Sequence, residues 1–89
     1  MGKKNKARMW SDLSQMVDDL WSGSRSSLCD KCGWTRPRFY RLLSGGHNEE
    51  PSDMIVALHR QMQPRANRFG IKLELDDVLH TWKKSRKGV

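Results

Sequence analysis

Cys29 and Cys32 stand at Cys-x-x-Cys spacing, the first arrangement in this chain that could do chemistry. Thiolates so placed can fill two corners of a tetrahedral zinc site, with His47 and His59 as the available completers. A second cysteine pair is absent from the sequence and the histidines lack tandem spacing, so no metal site is expected. A redox role needs an activated thiolate at a helix start. Here the pair falls late in a predicted helix, and inert packing is the expectation. The sequence holds no nucleophile-base-orienter set, no glycine loop to cradle phosphate and no carboxylates at metal-binding spacing. Asp18-Asp19 and Asp76-Asp77 read as helix-surface and helix-start charges, and His80 as a surface or interface residue. Neither catalysis nor a cofactor is expected.

The other cluster is basic. Arg36, Arg38 and Arg41 can each donate paired hydrogen bonds to guanine or a fork to phosphate, a geometry lysine lacks, and Tyr40 among them can pack on a thymine methyl or bond a phosphate. No acidic residue falls between Lys31 and Glu49. A helix with a purely structural role more often mixes signs, because opposite-charge pairs add roughly 0.2 to 0.5 kcal/mol each. The 89 residues carry a formal charge of +7, which attracts polyanions. Of the 17 basic residues, Lys3, Lys4, Lys6, Arg8, Lys83, Lys84, Arg86 and Lys87 lie towards the two ends. No apolar run is long enough to span a bilayer and no signal-peptide core follows the basic start. With two closely spaced cysteines and no disulfide framework, a cytoplasmic protein with no membrane partner is expected.

These residues need elements to position them. The apolar set Trp10, Leu13, Val17, Leu20 and Trp21 has helical spacing and predicts a first helix that stops near Ser22-Gly23. Ser24 is a good cap for a short second helix from Arg25 to about Cys32, which Gly33 breaks. Thr35 is the cap expected for a third helix, with Pro37 in its first turn, where a missing amide hydrogen costs nothing. Phe39, Leu42 and Leu43 supply its apolar face, and Ser44-Gly45-Gly46 ends it. Pro51-Ser52-Asp53 predicts a fourth helix capped by Ser52, bearing Met54, Ile55, Leu58 and Met62, and closed by Pro64. Ile71, Leu73 and Leu75 alternate with Lys72 and Glu74, the pattern of a short strand or extended segment. Asp76 and Asp77 then head a fifth helix with Val78, Leu79 and Trp82. The expected fold is therefore all-α, a compact domain of four to five helices with a short extended segment near 71–75. It divides into a basic flexible tail (1–8), a helix-turn-helix domain (9–64) and a C-terminal extension (65–89).

Two short helices about a glycine turn, the second opening with basic residues, are the geometry that inserts a helix into the major groove. The run Leu28-Cys29-Asp30-Lys31-Cys32-Gly33-Trp34-Thr35, followed by Phe39, Leu42 and Ser44-Gly45, resembles the Cro/repressor type of helix-turn-helix, often called Xre-like. Glu50-Pro51-Ser52 before an apolar helix is similar to that family too. The chain departs from it in having Cys29 where an alanine is usual and Trp34 where a small aliphatic is usual. The resemblance spans roughly Leu13 to Met62 and implies that the third helix reads bases through Arg36, Arg38, Tyr40 and Arg41. Arg25, Ser26, Thr35, Ser44, His47 and Asn48 are then placed to hold phosphates and set register. It further implies a transcription regulator, repressor-like and of bacterial or phage type, acting on double-stranded DNA as a homodimer. On this reading Trp10, Trp21 and Trp34 belong to the core, while Trp82 and the 71–75 segment lie outside the recognised unit and could build the dimer. The competing reading is a module that holds a protein partner, such as an antitoxin or adaptor, with four tryptophans and five methionines marking its contact surface.

Overall fold

The computed structural model describes residues 10–45 and 51–85. They form five helices, α1 (Leu13–Leu20), α2 (Arg25–Cys32), α3 (Arg36–Leu43), α4 (Ser52–Arg68) and α5 (Leu75–Ser85), and no strand is found among the described residues.

Helix α1 starts after Trp10, because the Asp12 carboxylate takes the free amide of Gln15 at 2.9 Å and fixes the first turn there. Its buried residues are Leu13, Met16, Val17 and Leu20, a single apolar stripe facing inward. Trp10 lies just outside the helix and is buried all the same, its indole N–H donating to the Asp19 carboxylate at 3.0 Å. Helix α2 begins as expected, with the Ser24 hydroxyl accepting from the Ser27 amide at 3.1 Å. It ends at Gly33, whose φ of 76° is the left-handed value that glycine adopts without strain. Pro37 falls in the first turn of α3, but the Thr35 hydroxyl, expected to cap that turn, makes no capping bond.

Two expectations fail further along, and a third, the strand or extended segment at 71–75, holds only in its second form and only as far as residue 74. Pro64 does not close α4, which runs on to Arg68 and stops before Gly70, at φ 76°. A proline inside a helix removes one hydrogen bond and costs about 3 kcal/mol. Pro64 sits on the exposed side, where water can serve the orphaned carbonyl, and continuing the helix buries Ala66 one turn beyond Met62. Ser52 is the first residue of α4 and not its cap; Pro51 takes that place without any side-chain bond. The 71–75 segment is no strand. Ile71 and Leu73 do turn inward while Lys72 and Glu74 face solvent, as the alternation requires, but Leu75 already belongs to α5 and is exposed. The Leu73 carbonyl bonds to Gln63 Nε2 at 2.8 Å and His59 Nε2 at 2.9 Å, so side chains of α4 take the place of a second strand.

The boundary expected at 64/65 therefore falls inside α4, and the residues beyond it belong to the same core. Val78 and Trp82 of α5 are buried together with the apolar residues of α1 and α4. The Ser85 hydroxyl accepts the Leu13 amide at 2.6 Å, and Lys84 Nζ donates to the Trp10 carbonyl at 2.6 Å, so the end of α5 caps the start of α1. Trp82, read as lying outside the unit, is a central core residue; Trp21 and Trp34, read as core, are only half-buried at its margin.

Candidate nucleic-acid interface

Helices α2 and α3 are joined by Gly33, Trp34 and Thr35, and Leu28, Cys29, Phe39, Leu42 and Leu43 anchor their inner sides in the core. Cys29 ties the turn together. Its thiol donates to the Trp34 carbonyl at 2.9 Å, and its own carbonyl accepts the amides of Gly33 at 3.0 Å and Trp34 at 3.3 Å. Burial raises the Cys29 thiol pKa, with Asp30 adding to the effect and Arg36 opposing it. Burial, and then Cys29, push Cys32 up to about 11. Ionisation of both thiols is thus disfavoured, which does not suit an attacking thiolate. Of the proposed completers, His59 is engaged with Leu73 and His47 lies outside the described residues.

With Phe39, Leu42 and Leu43 buried, helical geometry places Pro37, Tyr40, Arg41 and Ser44 along the opposite side of α3, with Arg36 and Arg38 on its flanks. All six are exposed. Tyr40 is 40 % exposed; its ring centre lies 5.9 Å from that of Phe39 with the two planes at 73°, and its hydroxyl lies 3.4 Å from Ser26 Oγ. That contact brings one expected base contact and one expected phosphate contact together across the α2–α3 angle. Ser44 is exposed, with its hydroxyl donating to the Arg41 carbonyl at 3.1 Å. Thr35 is exposed at the N-terminus of α3. His47 and Asn48 lie outside the described residues.

Arg25 is the exception among the expected phosphate contacts. Its Nε and Nη2 donate to the two Asp18 oxygens at 3.0 and 2.8 Å, and Nη2 also reaches Ser14 Oγ at 2.6 Å. Asp18 and Asp19 occupy the last turn of α1, where negative charge opposes the helix dipole. Arg25 compensates Asp18, and Arg65 donates to the Asp19 carbonyl at 3.0 Å. The structure thus gives Arg25 the part of a brace fixing the start of α2 on α1.

Protein-family models, curated proteins and solved structures give no match to this chain.

Three residues at the interface escaped the sequence reading. Pro37 stands on the outward side of α3 because helical phase puts it opposite Leu42 and Phe39. Asp30, just before the acid-free window, comes round the glycine turn to within 3.6 Å of Arg36. Trp34, placed in the core on sequence, instead lies beneath Arg38, whose guanidinium carbon is 5.3 Å from its ring centre. Elsewhere, a cavity of about 240 Å³ opens beside Trp10, Asp18, Asp19, Arg65 and Phe69, but its carboxylates already hold Arg25 and the Trp10 indole. Among the described residues no helix is long and apolar enough to cross a membrane.

Proposed function

We propose that this protein binds double-stranded DNA sequence-specifically, with α3 in the major groove and α2 crossing the backbone, and thereby regulates transcription. The observation that carries the reading is the solvent side of α3: exposed Tyr40 and Arg41 with exposed Arg36 and Arg38 on the flanks, no acid on the helix itself, and the opposite side anchored in the core. A charge of +7 supplies the sequence-independent attraction that such a reader needs. The resemblance of Leu28 to Gly45 to the Cro/repressor helix-turn-helix agrees with it. By that resemblance the protein acts in the cytoplasm, on the nucleoid, as a repressor-like homodimer spanning two half-sites about 34–36 Å apart.

Selection of bound sequences from a random duplex pool tests the reading, and an enriched two-fold site is expected. Arg36→Ala and Arg41→Ala should each lose about 1–3 kcal/mol of discrimination where the contact is to a base; footprints unchanged in both variants overturn the assignment. The alternative, a module holding a protein partner, draws on one observation, the exposure of Phe69 at 54 % and of Leu75 at 41 %. Absence of any enriched DNA sequence favours it.

A further inference from the structure

An arginine reads guanine by presenting two in-plane N–H donors to O6 and N7. What decides its competence is whether that edge is free and whether the plane is held. The guanidinium groups around the glycine turn differ in both respects. Arg25 has committed its edge to Asp18 and Ser14. Arg36 points part of its edge at Asp30, 3.6 Å away. Arg41 makes no ion pair or ring contact among the described residues, so nothing holds its plane. Arg38 alone of the four lies over an aromatic ring, its guanidinium carbon 5.3 Å from the Trp34 ring centre, and it makes no ion pair among the described residues, so its donors are left for a base. Trp34 is itself fixed, because its amide and its carbonyl are both bonded to Cys29 and its ring packs against the core.

We infer that Trp34 is a positioning residue that holds Arg38 as the guanine-reading side chain of the interface, an inference that rests on α3 being the DNA reader. The chain of support runs from buried Cys29 through the Trp34 backbone to the indole, and from the indole to the guanidinium. A long side chain that is already oriented loses fewer rotamers on binding, and a wrong base opposite it leaves paired donors unmet. The bulky Trp34, which the helix-turn-helix pattern fills with a small aliphatic, thereby has a use at the surface.

Two measurements test this together. In proton NMR of the free protein, the Arg38 δ and ε protons should be shifted upfield by the indole ring current, with the shift lost in Trp34→Leu and partly kept in Trp34→Phe. In pool selection the wild type should favour G at one position. Arg38→Ala should lose that preference by about 5- to 150-fold, while Arg38→Lys should weaken it and keep overall affinity. Trp34→Leu should relax the same position by about two- to fivefold and leave the others unchanged, while Trp34→Phe retains it. If Trp34→Leu does not fold, as judged by circular dichroism, the ring-current shift in the wild type, Trp34→Phe and Arg38→Ala carry the test. An unshifted Arg38, a G preference intact in Arg38→Ala, or an undiminished preference in folded Trp34→Leu overturns the inference. A wild type that enriches no sequence overturns the DNA reading and the guanine assignment with it, whereas a shifted Arg38 in that same protein shows that the brace itself is real.

Discussion

At the scale of single residues, Asp30 opposes the DNA binding proposed for its neighbours. It faces Arg36 at 3.6 Å with both side chains more than half exposed, a pairing that contributes little to stability in water. Beside a phosphate backbone the same carboxylate repels the ligand and competes for Arg36. Asp30→Asn should therefore leave thermal stability nearly unchanged and tighten DNA binding at fixed salt, as read by fluorescence anisotropy. Weaker binding of the variant would mean that the carboxylate orients Arg36 usefully. The cysteines carry a second prediction. The Cys32 thiol is raised from 9.0 to about 11 by burial first and Cys29 second, so well below pH 9 it is protonated in both the folded and unfolded chain and contributes no pH dependence. Between about pH 9 and 11 the unfolded chain releases its proton first, and stability falls as pH rises through that window. Urea titrations at pH 8 and pH 10 should show the loss, and Cys32→Ser should diminish it. Native Cys32 should also be alkylated more slowly at pH 8 than a free thiol.

At the scale of elements, the sequence was legible where a local device decides the structure. Ser24, Gly33 and Pro37 act within a turn of themselves, and α2, the glycine turn and α3 came out with the expected boundaries. Legibility ended where partners distant along the chain decide. Pro64 looks like a stop until Ala66 is seen to be buried, and Ile71-Leu73 looks like a strand until His59 and Gln63 are seen on the Leu73 carbonyl. The candidate site divides the same way: the exposure of Arg36, Arg38, Tyr40 and Arg41 follows from helical phase, whereas the capture of Arg25 by Asp18 depends on how α1 and α2 meet. Pro64 offers a test with a clear sign. Inside a helix, Pro64→Ala restores a hydrogen bond worth part of about 3 kcal/mol, less roughly 1 kcal/mol for the looser unfolded chain. The variant should melt at a higher temperature in calorimetry. A lower melting temperature would show that Pro64 is needed where it stands.

At the scale of the whole molecule, the proposed interface depends on a helix remote from it in sequence. Helix α3 is eight residues long, too short to hold its shape alone in water, and its arginines are useful only if α2 and the turn are immobile. Helix α2 is braced to α1 through Arg25, and α1 is capped by Ser85 and Lys84 at the end of α5. A cut after residue 64 would remove Ala66, Leu73, Val78 and Trp82 from one shared core and uncap α1. A small domain that loses a buried tryptophan and its helix loses about 3–5 kcal/mol from that side chain alone, against a total of about 5–15. Residues 1–64 should therefore show no cooperative unfolding and no sequence-specific DNA binding, although they keep every residue assigned to the interface. Ser85→Ala in the full chain gives the graded version: stability should fall by about 1 kcal/mol, with the G preference of the folded protein unchanged. A folded, DNA-selective 1–64 fragment would restore the division at 64/65 and leave α5 for another purpose.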